Sequence, residues 1–116
     1  MTADRIDTLL AMLERGQDSA LLRFSLGNEY CAAGRFEEAA GHLRRAVRLD
    51  RDYSAAWKLL GRALANLERD EEAIAAYREG IAIAEKNGDR QAAKEMTVFL
   101  KRLLKKQGGS GTAGTR

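Results

Sequence analysis

Two stretches of this sequence are nearly alike: residues 25–43 read SLGNEYCAAGRFEEAAGHL, and residues 59–77 read LLGRALANLERDEEAIAAY. Gly61 follows Gly27 by 34 residues, and the same shift aligns a set of identical residues. The aligned pairs are Leu26 with Leu60, Arg35 with Arg69, residues 37–39 with residues 71–73, and Arg44 with Arg78. A fixed period with matched apolar positions indicates two copies of one supersecondary unit, each of which buries a face against its neighbour.

The spacing of apolar residues within each copy predicts a hairpin of two helices. In the second copy, the spacing i, i+3, i+4 and i+7 places four residues on one helix face: Trp57, Leu60, Gly61 and Leu64. After the polar segment NLERD a second helical phase begins, with Ala73 and Tyr77 on its apolar face. We expect Asp70 to cap the N-terminus of this second helix. Because the connection is short, the two helices are predicted to run antiparallel.

The two equivalent glycines predict that the helices of each hairpin approach closely. A glycine in a helix interior costs about 1 kcal/mol relative to alanine, so two glycines at equivalent places indicate a packing role. We expect Gly27 to face Ala39 across the first hairpin, and Gly61 to face Ala73 across the second.

Half-units flank the two copies. A helix over residues 3–15 has the apolar pattern of a second helix, and a helix over residues 89–106 begins where another first helix is expected. The latter has a polar face opposite one apolar stripe, which consists of Ala92, Ala93, Met96, Phe99, Leu100 and Leu103. A helix with one buried side and one solvated side fits a terminal cap.

The sequence therefore predicts an all-α domain over residues 1–106, made of antiparallel helix-hairpin repeats in a short right-handed superhelical stack. Its repeats span residues 20–53 and 54–87, and the pair Asn87-Gly88 is a stop signal for the helix before it. The predicted helices cover residues 3–15, 20–33, 36–49, 54–67, 70–86 and 89–106. The last stretch, QGGSGTAGTR over residues 107–116, is rich in glycine and predicts a disordered tail.

The composition is that of an ordinary globular protein, with 116 residues of which 45% are hydrophobic and 32% are charged. The net charge of +3 does not by itself favour nucleic acid or an anionic membrane. Cys31 is the single cysteine, so no internal disulfide can form. No apolar run approaches the roughly 20 residues that span a bilayer, and the charged N-terminal segment is unlike a secretory signal. We expect a cytoplasmic location.

The second copy resembles a tetratricopeptide repeat, whose signature is W-x₂-L-G-x₂-Y followed by A-x₃-F. The resemblance rests on the 34-residue period and on Trp57, Leu60, Gly61, Leu64, Ala73 and Tyr77. The first copy is similar, with Arg23 in the place of the tryptophan. The signature residues are Leu26, Gly27, Tyr30 and Ala39 in the first copy, and Trp57, Leu60, Gly61, Leu64, Ala73 and Tyr77 in the second. The resemblance implies a small two-repeat protein of bacterial type that binds a peptide or a partner's helix in a concave groove formed by the first helices of the repeats.

The resemblance also implies which residues line that groove: Phe24, Asn28, Cys31, Lys58, Arg62 and Met96. Phe24 and Met96 would form an apolar side, and Lys58 and Arg62 a basic side that donates charge-assisted hydrogen bonds to a carboxylate. It is equally open that Lys58 and Arg62 lie on a solvated helix face and contact no partner. The carboxylate-clamp members of this family, which hold the C-terminal tails of heat-shock chaperones, are matched at Asn28 alone, so we do not assign that function.

Two alternatives to the groove arise from the ends of the chain. Two repeats bury little surface, so a second copy of the chain could complete the cap or the groove in a homo-oligomer. The last predicted helix ends in KRLLKK, which would also fit a weak nucleic-acid or anionic-surface binder that uses Lys101, Arg102, Lys105 and Lys106. Positive charge in the last turn of a helix suits the helix dipole without any ligand, so we favour a structural role for these cations.

Catalytic and metal sites are not predicted. With one histidine and one cysteine, the usual Cys/His metal sites cannot be assembled from this chain alone. His42 and Cys31 belong to different helices and are expected to point apart, and His42 is expected to be an exposed helix residue. We therefore predict a binding protein with no enzymatic activity and no cofactor.

Overall fold

The computed structural model describes the backbone of residues 2–112 and the side chains of residues 4–108. Within this range the chain forms helices only, and it measures 56 × 30 × 21 Å. The helices are α1 (Thr2–Glu14), α2 (Ala20–Ala32), α3 (Phe36–Leu49), α4 (Ser54–Asn66), α5 (Asp70–Lys86) and α6 (Arg90–Thr112). The first five agree with the predicted spans to within one residue at each end, and the all-α prediction is confirmed.

The helices form two layers. Each helix contacts the next one in the chain, and α2 also contacts α4, which in turn contacts α6. The first helices of successive units, α2, α4 and α6, therefore lie side by side as one layer, while α3 and α5 cover its other side. The largest side chains that are fully enclosed between the helices are Leu26, Leu43, Leu64 and Met96. All signature residues of both repeats are buried.

Both repeat glycines lie at close approaches between helices. A Cβ atom at Gly27 would lie 2.5 Å from Cδ2 of Leu43, and a Cβ atom at Gly61 would lie 2.5 Å from Cε1 of Tyr77. These distances are far shorter than the contact distance of about 3.5–4.0 Å between carbon atoms, so only glycine fits. The nearest side chains are one helical turn beyond those expected, which corrects the predicted pairing with Ala39 and Ala73.

A third glycine, which the repeat signature did not single out, makes room between units. A Cβ atom at Gly80 would lie 2.6 Å from Sδ of Met96 and 2.8 Å from Cβ of Trp57. Gly80 of α5 therefore lets α4 and α6 approach α5 at the same point. This contact fixes where the last helix lies on the second repeat.

The N-terminus of α5 differs from the prediction. Arg69 occupies the capping position and its side chain makes no capping hydrogen bond, whereas Asp70 is the first residue of the helix. The carboxylate of Asp70 instead pairs with α6, with 2.8 Å between its Oδ2 and Nζ of Lys106. At the other end of α5, Gly88 has φ +77° and stops the helix as predicted.

Helix α6 is longer than predicted. It ends at Thr112 and not at residue 106, so the predicted disordered tail is wrong for residues 107–112, while residues 113–116 lie outside the described residues. Gly108 has helical backbone, in contrast to Gly88, whose positive φ ends α5. Glycine lowers helix propensity by about 1 kcal/mol, but it ends a helix only where the backbone turns to the left-handed region.

Ion pairs on the outer surface join the two repeats. Within the described residues they link Arg44 with Glu72, Arg51 with Glu79 (2.6 Å), Arg69 with Glu37 (2.9 Å) and Lys86 with Asp52 (3.3 Å). Exposed pairs contribute about 0–1 kcal/mol each, so they set the register between the repeats more than they stabilise it. The buried apolar layer remains the main source of stability.

Candidate functional site

The predicted groove residues are divided between two cavities. The first, the α1–α2 cavity, has a volume of about 410 Å³ and includes Phe24 and Asn28. The second, the α4–α6 cavity, has a volume of about 630 Å³ and includes Lys58 and Arg62. The residues of the predicted apolar side and basic side therefore line different cavities, and Phe24 does not share a cavity with Lys58 and Arg62.

In the α1–α2 cavity Leu9 and Phe24 form the apolar part of the lining. The ring of Phe24 packs against the ring of Tyr53 at a centroid distance of 5.0 Å, and Phe24 is half-buried. Asn28 is exposed one turn further along α2. Glu29, in the same wall, pairs with Arg5 of α1 at 3.5 Å. This cavity offers an aromatic surface and an amide, beside the Arg5–Glu29 pair and the further carboxylate of Asp4.

The floor of the α4–α6 cavity is apolar and aromatic. Leu59 from α4, Phe99 and Leu103 from α6, and Tyr77 from α5 contribute to its lining. The rings of Tyr77 and Phe99 lie 5.7 Å apart and are tilted by 33°. Burial raises the pKa of Tyr77 to about 12, so its phenol stays neutral at physiological pH. The floor is therefore an uncharged surface on which an apolar group can pack.

At one end of this cavity Lys58 is already paired. Its Nζ donates to Oε1 of Glu95 at 2.6 Å, and Nε2 of Gln91 donates to Oε2 of the same carboxylate at 3.0 Å. These hydrogen bonds from Gln91 and Lys58 lower the pKa of Glu95 below its usual range. The positive charge of Lys58 is therefore compensated by an ionised carboxylate from the neighbouring helix.

Two guanidinium groups in the cavity lining have no acid partner among the described residues. Arg62 is exposed on α4, one turn after Lys58, and only its backbone carbonyl is in a hydrogen bond with a side chain, donated by Asn66 at 2.9 Å. Arg102 of α6 lies over the ring of Phe99 at 5.9 Å from its centroid. The lining thus carries three cations against one acid, and the excess positive charge is on Arg62 and Arg102.

Two of the predicted groove residues contribute little or no surface. Met96 is 0% exposed, because the space left by Gly80 admits its sulfur, so its assignment to the groove is wrong. Cys31 is 8% exposed, and burial raises the pKa of its thiol, which keeps it protonated. Both residues belong to the packing between helices.

Among the members of the α4–α6 cavity that sequence analysis missed are Glu95, Phe99 and Arg102 of α6. They fall at i, i+4 and i+7 on α6, so they share one helix face, and this spacing was visible in the sequence. Phe99 had been placed only in the buried stripe and Arg102 only in the basic end of the helix. The site could have been predicted by placing this face of α6 beside Lys58 and Arg62, which fall at i and i+4 on α4.

His42 is not the exposed residue that was expected. Its ring stacks on Tyr30 at 5.5 Å with 4° between the planes, and its Nδ1 accepts from Nη1 of Arg23 at 3.1 Å. Burial, followed by the charge of Arg23, lowers the pKa of His42. In residues 4–108 no three His, Cys, Asp or Glu side chains are grouped in a way that could hold a metal ion.

Comparison with known proteins agrees with this architecture. The profile of the tetratricopeptide repeat matches residues 24–89, more than half of the chain. The chain belongs to the tetratricopeptide repeat family. It is 51% identical over 98 residues to a TPR repeat-containing protein of Pseudomonas aeruginosa, a match that covers 84% of this chain and 93% of the relative.

Solved structures of this family have the same fold. The solution structure of a Bordetella parapertussis protein is 42% identical with a TM-score of 0.77, and the match covers 89% of this chain and 90% of that one. The crystal structure of a tetratricopeptide repeat domain from Salinibacter ruber, at 23% identity, superposes with a TM-score of 0.69 over 74% of this chain and 96% of its own. The prediction of a small bacterial-type repeat protein with an α–α superhelical fold is confirmed.

Members of this family share a general role. Tetratricopeptide repeats serve in general as scaffolds for protein–protein interaction and are in general not enzymes. Among the described helices, none has an apolar stretch long enough to cross a membrane.

Proposed function

We propose that this chain is an interaction scaffold that binds an extended peptide or a helix of a partner protein on the face formed by α2, α4 and α6, and that it has no enzymatic activity. The observation that carries the proposal is the α4–α6 cavity, in which an apolar floor is bordered by two guanidinium groups without an acid partner in the described residues. Its volume of about 630 Å³ lies within the usual range of ligand pockets, about 300–1,000 Å³.

The α1–α2 cavity supports the proposal from the other end of the same layer. Phe24 presents a half-buried ring and Asn28 an exposed amide, which are the residue types that recognise a peptide side chain and a peptide group. Because α2 and α4 are in direct contact, one ligand lying across both helices could use both cavities. The proposed contact residues are therefore Phe24, Asn28, Lys58 and Arg62, together with Glu95, Phe99 and Arg102.

Self-association through an added helix on α6 is the weaker alternative. In α2 and α4 the place next to the second helix of the unit is a glycine, whereas α6 has Glu95 at the equivalent place. The carboxylate of Glu95 is held by Lys58 and Gln91, so a further helix packed there would have to displace these hydrogen bonds. We therefore propose that α6 caps the stack.

Binding of nucleic acid or an anionic surface through the C-terminal cations is also weaker. Lys106 is paired with Asp70, and Arg102 lies over Phe99 at the α4–α6 cavity. Non-specific affinity for nucleic acid depends on the number of cations that are free to pair with phosphates. Retention of bulk RNA at moderate salt, and its loss when Lys101 and Lys105 are neutralised, would favour this alternative over a protein partner.

The proposed location is the cytoplasm, where the lone thiol would stay reduced. The absence of enzymatic activity is proposed from the state of the two residues that could have carried chemistry. Burial keeps Cys31 protonated, and His42 is engaged by Arg23 on one side and by the Tyr30 ring on the other. Neither group is placed for nucleophilic catalysis, which requires the thiolate and the imidazole to lie side by side.

Affinity capture with charge-reversed variants tests the scaffold proposal. The tagged protein is compared with a Lys58→Glu/Arg62→Glu variant and with a control, Arg48→Glu/Arg78→Glu, that has the same change in net charge. Arg48 and Arg78 are exposed on α3 and α5 and form no ion pair within the described residues. We expect the wild type and the control to retain the same partner and the first variant to lose it. Loss by the control with retention by the first variant would move the contact surface to the α3–α5 side.

A further inference from the structure

We infer that the α4–α6 cavity is the anchor site for a segment of a partner protein in which one apolar side chain is flanked by Asp or Glu, and that Arg62 and Arg102, not Lys58, bind the acidic group. This inference rests on the proposed function, because it specifies the chemistry of the partner at the same face.

The distribution of charge selects the acidic flank. At one end, Lys58 and Glu95 form a pair at 2.6 Å, and a second hydrogen bond from Gln91 holds the carboxylate in place. An incoming carboxylate at this end would meet the charge of Glu95 as well as that of Lys58. At the other end, Arg62 and Arg102 have no acid partner among the described residues, and a planar guanidinium binds a carboxylate through two parallel hydrogen bonds. The acidic group of the ligand therefore belongs beside the arginines.

The floor selects the apolar side chain. Phe99 is half-buried, one of its neighbours is the enclosed ring of Tyr77, and Leu59 and Leu103 extend the apolar surface on either helix. An apolar side chain placed there removes this surface from water, which contributes about 25 cal/mol per Å². The same packing lowers the local dielectric around the arginines and strengthens their bonds to a carboxylate. The two halves of the motif thus support each other.

A peptide fits the lining better than a fatty acid, which also combines a carboxylate with an apolar group. Asn66 lies in the lining, and its Nδ2 donates to the backbone carbonyl of Arg62 at 2.9 Å. This bond leaves Oδ1 of Asn66 as an acceptor, which a peptide N–H can satisfy and a fatty acid cannot. We therefore commit to a peptide segment as the occupant.

The test uses a set of acetylated pentapeptide amides with Leu, Phe or Gln at the centre and Glu, Gln or Lys at the flanking positions, titrated into the ¹⁵N-labelled full chain. We expect the members with an apolar centre and Glu flanks to shift the amides of α4 and α6 in a saturable way. The Gln-centred or Lys-flanked members should bind at least about tenfold more weakly, the scale of one charge-assisted hydrogen bond or one buried apolar side chain.

Variants assign the charge to individual residues. Arg62→Gln and Arg102→Gln should each lower the affinity for the Glu-flanked peptides by about tenfold or more, while the exposed control Arg78→Gln should not change it. Lys58→Gln should lower it less than either arginine variant does, because the charge of Lys58 is already compensated by Glu95. Glu95→Gln should raise the affinity several-fold, because it releases Lys58 from its pair. Thermal unfolding curves confirm that each variant is folded.

Several results would overturn the inference while leaving the scaffold proposal testable by capture. These are equal binding of Glu-, Gln- and Lys-flanked peptides, absence of binding by the whole set, or shifts confined to residues of the α1–α2 cavity. Saturable binding of sodium dodecanoate at α4 and α6, without binding of any peptide, would identify a small-molecule pocket and contradict the peptide commitment. Failure of the capture experiment together with success of the peptide titration would instead identify an anchor site whose cellular partner is absent from the lysate used.

Discussion

Repeat one and repeat two have the same frame of 34 residues, but different chemistry holds each hairpin. Trp57 of repeat two corresponds to Arg23 of repeat one, and Ala76 corresponds to His42. In repeat two the indole is buried, and its Nε1 donates to the backbone carbonyl of Arg51 at 2.8 Å. An apolar aromatic group thus packs at the junction of the two repeats, with the guanidinium of Arg51 lying 5.5 Å from the centroid of its ring.

At the same place repeat one has a polar network. Arg23 donates to both carboxylate oxygens of Asp18, at 2.8 and 3.1 Å, and to Nδ1 of His42 at 3.1 Å. Arg23 is partly buried beside the single helix α1, whereas Trp57 has Arg51 of the preceding repeat over its ring and Gly80 of α5 next to its Cβ. The comparison teaches that a repeat with neighbours on both sides can use an apolar side chain where a terminal repeat uses a satisfied polar one.

Removal of the indole should produce the largest effect on stability. Trp57→Ala removes a buried aromatic side chain, and we expect it to lower the free energy of unfolding by about 3–5 kcal/mol. Urea unfolding followed by circular dichroism measures this loss. The matched variant Arg23→Ala should cost less, because its partner Asp18 is partly solvated. Equal losses for the two variants would contradict the difference between the repeats.

The close approach within the second hairpin should give the next largest effect. In Gly61→Ala the new methyl group meets the enclosed ring of Tyr77, so we expect a loss of about 1–3 kcal/mol through overpacking, and a greater loss for Gly61→Leu. Gly41→Ala is the control, because Gly41 is also within a helix but has no atom within 4 Å of its added Cβ. The control should be more stable than the wild type by about 0.5–1 kcal/mol. An unchanged melting temperature for Gly61→Ala would show that the hairpin can relax at this point.

The comparison with the sequence-derived expectations shows which features a repeat pattern determines. The period and the helical spacing were enough to predict the fold class and five of the described helices to within one residue, because both record which positions face the core. The pairing of the glycines was predicted one turn too early. Helical spacing identifies a face, but the choice between Ala39 and Leu43 depends on how two helices slide along each other.

The site was predicted less completely than the fold. Lys58 and Arg62 were identified from their place in the repeat, but the Glu95 carboxylate that pairs with Lys58 lies 37 residues away, and its proximity is set by the packing of α6 on α4. Met96 was misplaced for a related reason. Whether a residue of α6 reaches the groove or the core depends on the space left by Gly80, which no single helix reveals.

Substitutions in the turns of the two hairpins should change the free energy of unfolding by a smaller amount, and with opposite sign in the two repeats. Arg35 N donates to Tyr30 O, and Arg69 N donates to Leu64 O, both at 2.9 Å, so the turns have the same hydrogen bonds. Repeat one has a glycine at the left-handed position, Gly34 with φ +75°, whereas repeat two has Glu68 with φ +60°. A non-glycine residue with left-handed backbone costs roughly 1–2 kcal/mol. Part of this cost is offset, because glycine loses more backbone entropy on folding than any other residue.

We therefore expect Glu68→Gly to raise the free energy of unfolding by about 1 kcal/mol, and Gly34→Ala to lower it by a similar amount. Urea midpoints of the two variants check both signs. An added Cβ at Gly34 has no atom within 4 Å, so Gly34→Ala isolates the backbone contribution in repeat one. A loss of stability in Glu68→Gly would show that the Glu68 side chain has a role that the turn geometry does not explain.

The smallest effect should come from pH, and it belongs to repeat one alone. The chain has one histidine, and burial together with the charge of Arg23 lowers the pKa of His42, against the smaller opposing effects of Asp18 and Glu38. The unfolded chain therefore takes up a proton near the ordinary value of about 6.5, while the folded chain takes it up only at lower pH. Stability is then fully present above this value and is lost as the pH falls towards the folded pKa.

The hydrogen bond explains the direction, because Nδ1 of His42 can accept from Arg23 only in the neutral imidazole, and protonation would oppose two donors. Urea midpoints at pH 7.5 and 5.5 should therefore differ, with the lower midpoint at pH 5.5. The variant His42→Ala, which copies Ala76 of repeat two, should remove most of this difference. If the difference persists in the variant, the acid sensitivity belongs to carboxylates such as Asp18, whose own pKa is lowered by Arg23, and the polar network of repeat one does not act through its histidine.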